Sequence, residues 1–102
     1  EELPTLLFDE VDSGIGGVIL GQLGEKIRQL SSRQQVILIS HWPQLACLAD
    51  RHFQVAKQVE NSQTFSRCIL LGREEIFDEL ARMAGGGEQG ELLARKLMNG
   101  KG

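Results

Sequence analysis

Leu6-Leu7-Phe8-Asp9-Glu10-Val11-Asp12 is the stretch that organises the rest of the chain. A short uninterrupted apolar run, led in by Pro4-Thr5, stops abruptly at two adjacent carboxylates. Such a run predicts a central parallel strand, covered on both faces, whose C-terminal end meets solvent or a ligand. Ser13-Gly14-Ile15-Gly16-Gly17 follows as a flexible turn. Residues 18–30 then carry Leu20, Leu23, Ile27 and Leu30 three to four apart, the spacing of an amphipathic helix. After a polar connection over 31–34, Gln35-Val36-Ile37-Leu38-Ile39 forms a second β-branched run, again read as a buried strand, and it ends at Ser40-His41.

Farther along, Pro43 suits the first turn of a helix over 44–49. Phe53, Val55 and Lys57 begin an alternating segment, Asn61-Ser62-Gln63 is a polar tip, and residues 64–71 make the returning strand of a hairpin. Two helices close the chain. The first, over 74–84, sets Ile76, Phe77, Leu80 and Met83 on one face; the second, over 89–98, carries Leu92, Leu93 and Leu97; Gly85-Gly86-Gly87 separates them. Strand, helix, strand, helix, hairpin, helix, helix predicts an α/β layer with parallel strands at its start.

Composition narrows the function classes. With 102 residues, 41% apolar and 25% charged, the chain suits one small globular unit or a piece of a larger one, not a disordered segment. Its apolar runs fall far short of the ~20 residues a spanning helix needs, so no membrane role is expected. Fourteen acidic against eleven basic side chains, with the arginines scattered, lend no support to a duplex-binding face. Cys47 and Cys68 lie far apart without C-x-x-C spacing, which predicts reduced thiols in a cytosolic setting and no disulfide or zinc scaffold. The chain opens on Glu1 and enters an apolar strand by Leu6, as expected of a chain cut just upstream.

The chemistry concentrates where the strands end. A hydrophobic strand finishing in aspartate with glutamate next is the Walker B arrangement of nucleotide hydrolases. A rigid strand holds Asp9 where its carboxylate can bind Mg²⁺, usually through water. Glu10 can polarise the water that attacks a γ-phosphate. A bare acidic strand end leading into a solvated turn is the competing reading. His41 shifts the balance, because it lies at the C-terminal end of the next strand, the edge at which open parallel sheets bind ligands. Alone, it would be an ordinary loop histidine.

Three longer strings carry a family resemblance: Asp9-Glu10-Val11-Asp12-Ser13-Gly14-Ile15-Gly16-Gly17, Ser40-His41-Trp42-Pro43-Gln44-Leu45-Ala46, and Glu79-Leu80-Ala81-Arg82-Met83-Ala84-Gly85-Gly86. Together they resemble the C-terminal part of heads in the SMC-like branch of ABC-type ATPases, specifically bacterial members that act in DNA repair. The resemblance covers nearly the whole chain. It implies that residues 1–102 are the C-terminal lobe of such a head, with a mostly parallel sheet, a hairpin and flanking helices. It also implies Asp9 as the magnesium aspartate, Glu10 as the catalytic glutamate and His41 as the switch histidine. Asp12, Ser13, Gly14 and Gly16 would belong to a D-loop crossing to a second head. Mg²⁺ and ATP follow as cofactors. The implied partners are an N-terminal lobe of the same protein, a second head in an ATP-bridged homodimer, and DNA. The implied setting is the bacterial cytoplasm at the nucleoid, in recombinational repair of double-strand breaks.

The departures are as informative. No Gly-x-x-x-x-Gly-Lys-[Ser/Thr] loop occurs in the 102 residues, so the backbone cradle and lysine for the β- and γ-phosphates must come from elsewhere, and the chain alone is expected to be inactive. The Q-loop is absent, and Gln44 follows the switch histidine and cannot replace it. Gly85-Gly86-Gly87 is read as a helix-linking turn and not as the family's signature loop, which precedes Walker B. Gly14-Ile15-Gly16-Gly17 lacks the third glycine of a dinucleotide fingerprint. Cys47 reads as core. The alternative function class is a non-catalytic interaction module of a larger cytosolic protein, docking through the acidic turn and the terminal helices.

Overall fold

A computed structural model describes residues 3–9 and 17–101. The elements run β1 (Leu6–Asp9), α1 (Gly17–Ser31), β2 (Val36–Ile39), α2 (Pro43–Ala46), β3 (Phe53–Glu60), β4 (Gln63–Leu70), α3 (Arg73–Met83) and α4 (Gly87–Lys101). The order matches the sequence reading; α2 is a single turn, shorter than its predicted span.

β1 and β2 pair in parallel, Leu6 with Val36 through to Asp9 with Ile39. Three polar contacts hold their entry ends together. The Leu6 amide donates to the Gln35 carbonyl at 3.0 Å, the Gln34 side-chain amide to the Pro4 carbonyl at 2.6 Å, and the Thr5 hydroxyl to Gln35 Oε1 at 3.0 Å. The strands are covered on one face only, a correction to the burial expected from their continuous apolar runs. Leu6, Phe8, Val36 and Leu38 are half-buried, whereas Leu7, Ile37 and Ile39 are 62%, 47% and 49% exposed. Among the described residues α1 packs against β2, and nothing lies over the opposite face. Parallel sheets are normally covered on both sides.

β3 and β4 form a separate antiparallel hairpin, in register from Phe53 with Leu70 to Glu60 with Gln63. Its two-residue tip, Asn61-Ser62, has φ of 51° and 63°, the left-handed pair that a type I′ turn needs to match strand twist. At its base the Leu71 amide donates to the His52 carbonyl at 2.9 Å.

The tightest packing lies among α2, α3 and α4, where Cys47, Leu80, Ala81 and Ala94 are buried and Ile76, Phe77, Leu97 and Met98 close around them. Glu75 Oε1 accepts from the Gly72 amide at 2.9 Å and so caps the start of α3. Its end is a Schellman turn. The Gly86 amide reaches the Ala81 carbonyl at 2.8 Å, the Gly85 amide reaches that of Arg82 at 3.1 Å, and Gly85 has φ of 104°. The reversal brings α4 so close that a Cβ on Gly90 would sit 2.6 Å from the Ala81 carbonyl oxygen.

These contacts separate two glycines of similar helical setting. Gly21 on α1 has nothing within 4 Å of a built Cβ. Gly21→Ala is expected to stabilise by about 0.5–1 kcal/mol through backbone entropy alone. Gly90→Ala meets backbone that cannot yield cheaply and should destabilise by ~1–3 kcal/mol despite the same propensity gain. Urea midpoints of the two variants should move in opposite directions.

Candidate functional site

Parallel pairing places the two chemistry-bearing strand exits side by side. Asp9, the last residue of β1, is in register with Ile39, the last of β2, and Ser40 and His41 follow immediately. Asp9 and His41 therefore lie at the same C-terminal edge, and both side chains are exposed. The β2 exit is shaped locally: the Trp42 amide donates to Ser40 Oγ at 3.0 Å, an i to i+2 turn that redirects the chain around His41. Pro43, buried, then starts α2, whose first bonds run from Ala46 and Leu45 to the Trp42 carbonyl at 3.0 and 3.1 Å. Leu45, 1% exposed, drives that turn into the interior beside α1. There the Leu45 and Leu48 side chains come within 3.2 and 2.9 Å of a Cβ built on Gly24.

Glu10, Asp12, Ser13, Gly14 and Gly16 lie outside the described residues. Of the sequence-predicted site, the structure thus brings together Asp9 and His41. The chemistry of this edge suits Mg²⁺ binding. An exposed carboxylate is a hard oxygen donor, and Mg²⁺ takes only one or two carboxylates, filling its shell with water and phosphate oxygens. Among the described residues no group of three or more His, Cys, Asp or Glu side chains converges as a metal cage. Cys47 is buried, in keeping with a core residue, and Cys68 is exposed on β4. Two shallow hollows of ≈ 560 and ≈ 650 Å³ border α3 and α4, and neither is lined by Asp9 or His41. No helix among the described residues is long and apolar enough to cross a membrane.

One polar cluster was not foreseen. Glu79 on α3 accepts from Gln54 on β3 at 2.8 Å and pairs with Arg82 one turn on, tying the hairpin base to the helix. The i, i+3 spacing of Glu79 and Arg82 was visible in the sequence; the reach to Gln54, 25 residues upstream, depends on tertiary structure. The Arg82 hydrogen bond chiefly holds the Glu79 carboxyl below its ordinary range; burial opposes this, while the Arg82 charge and the Gln54 amide add to it.

The chain is 39% identical to the DNA repair protein RecN of Deinococcus radiodurans over 101 residues, covering 97% of this chain and 18% of that protein. The chain is similar to the C-terminal part of RecN. RecN of Xylella fastidiosa is 42% identical, with 96% of this chain and 18% of that protein covered. RecN of Bacillus subtilis is 36% identical, with 93% and 16% covered. The chain spans less than a fifth of the length of these RecN relatives. No family model matches it. Among solved structures, an SMC ATPase from work on ATP-driven dimerization and DNA-stimulated activation superposes with a TM-score of 0.65. That match is at 21% identity, over 79% of this chain and 48% of that one, and it shows a shared α/β fold.

A depressed Glu79 pKa fixes a sign. Stability from the protein-bound carboxylate is present above the unfolded-state pKa and is lost as pH falls through the lower folded-state value. Glu79→Gln should therefore lower stability at neutral pH and flatten the acid limb of the stability profile, read by chemical denaturation between about pH 3 and 7.

Proposed function

We propose that this chain is the hydrolytic lobe of an SMC-like ATPase head acting in recombinational repair of DNA breaks. It would supply Asp9, Glu10 and His41 to a site completed by a phosphate-binding lobe. The observation that carries the reading is the shared edge: parallel pairing sets the acidic end of β1 beside the histidine that leaves β2. The RecN likeness across almost the whole chain supports it. So does the apolar outer face of β1 and β2, which needs a second layer of protein.

In this reading each residue has one task. Asp9 would hold Mg²⁺, which when bound would supply charge neutralisation at the phosphates. Glu10, one residue later, orients the attacking water and accepts its proton. His41 hydrogen-bonds the terminal phosphate from the neighbouring strand and so ties β2 to the state of the nucleotide. The segment from Asp12 through Ser13 and Gly14 to Gly16 would reach a second head, making an ATP-bridged homodimer. Catalysis is then positioning and electrostatics, with no covalent step on the protein.

In the full-length protein, Glu10→Gln should cut the Mg²⁺-dependent ATPase rate by about 10²–10⁴-fold while leaving nucleotide binding intact. His41→Ala should lower kcat more than it raises KM. Normal hydrolysis by Glu10→Gln would refute the assignment. Unchanged partner binding by that variant, indifferent to Mg-ATP, would favour a non-catalytic docking module.

A further inference from the structure

His41 is carried on a stretch of chain that cannot place itself. The Trp42 amide donates to Ser40 Oγ at 3.0 Å, a bond that spans His41. Beyond it the Leu45 and Ala46 amides donate to the Trp42 carbonyl, and the Cys47 amide donates to that of Pro43. Residues 40–47 are therefore tied into one unit. Its helix, α2, is a single turn, too short to be stable by itself, so its placement depends on what it packs against.

One side of that support is α1. Gly24 is buried there, and Arg28 follows one turn later on the same face. A Cβ on Gly24 would stand 2.9 Å from Leu48 Cδ1 and 3.2 Å from Leu45 Cδ2. Arg28 is exposed, and its Nη1 donates to the Leu48 carbonyl at 3.3 Å. Leu45, at 1% exposed, has no open space into which to turn its methyl groups. A methyl added at position 24 must therefore displace α2 itself, by a few tenths of an ångström.

We propose that Gly24 and Arg28 are positioning residues for His41, an inference that rests on the ATPase role proposed for that histidine. Together they set the depth and angle at which α2 seats on α1, and through α2 the place of the imidazole at the strand edge. Neither needs to touch a nucleotide. Gly21, three residues earlier on the same helix, has nothing within 4 Å of a built Cβ and is the matched control.

A misplacement of about 1 Å at a reacting centre costs on the order of 10²-fold in rate, and the displacement here is a fraction of that. In the full-length protein, Gly24→Ala should therefore lower the Mg²⁺-dependent kcat by about three- to tenfold with KM little changed, whereas Gly21→Ala should leave kcat as it is. Arg28→Ala removes an exposed contact and opens no core; it should lower kcat by about two- to threefold, and Arg28→Lys should restore most of the loss. None of these changes should lower kcat further in a His41→Ala background. The His41 Cε1–H NMR signal, assigned by its loss in His41→Ala, should shift in Gly24→Ala and stay in place in Gly21→Ala. Unchanged kcat with an unmoved His41 signal in both Gly24→Ala and Arg28→Ala would overturn the inference. So would losses of kcat that persist undiminished in the His41→Ala background. A shifted His41 signal together with unchanged kcat in His41→Ala would instead refute the role proposed for His41 and leave its positioning by α1 standing.

Discussion

The parallel pairing of β1 with β2 is the constraint on which the candidate edge depends. Its register puts Asp9 level with Ile39, so the chain leaves β2 at the edge where β1 ends. A slip of one residue would turn Leu6 and Phe8 outward and drive Asp9 toward α1, because strand side chains alternate. A carboxylate placed there without a partner would cost several kcal/mol. The hydrogen bonds among Pro4, Thr5, Leu6, Gln34 and Gln35 hold the entry ends against such a slip.

His41 is held from its other side as well. The Ser40–Trp42 turn passes directly into α2, and Leu45 anchors α2 in the interior between α1 and the α3–α4 pair. Close approach at Gly24 keeps α1 against that turn, and close approach at Gly90 keeps α4 against α3. The packed helices thus form the fixed base. The strand ends and the hairpin, with little apolar burial of their own, are the parts free to respond to a ligand or a second protein layer.

Much of this was legible in the sequence, for identifiable reasons. The 3.6 periodicity of Leu20, Leu23 and Ile27 announced α1. The polar Asn61-Ser62 tip between alternating segments announced the hairpin, and the three glycines announced the α3–α4 reversal. The strand exits at Asp9 and His41 were legible because apolar runs ended abruptly in ionisable residues. Exposure of Leu7, Ile37 and Ile39 was not. A continuous apolar run signals what a strand would bury in its complete surroundings, and only one of its two faces finds a layer among these residues. The Gln54–Glu79 bond was equally hidden, since it joins elements whose approach only the tertiary fold decides.

Charge explains why such a lobe would work only in company. Asp9, Glu10 and Asp12 fall within four consecutive positions of a chain that carries a formal net charge of -3. A polyphosphate brought there without counter-charge would be repelled, and no phosphate loop exists in the chain to offer backbone amides and a lysine. In the proposed reading these carboxylates would become useful once a divalent cation and basic groups from elsewhere neutralised the phosphates, leaving the acids to orient water and accept a proton. The same feature that makes the isolated edge hostile to nucleotide would then make hydrolysis conditional. In the proposed reading the hydrolytic groups would sit on one lobe and the binding groups on another, so turnover would require the two to close together. A head arranged in this way couples ATP hydrolysis to assembly by electrostatics, without a separate regulatory device.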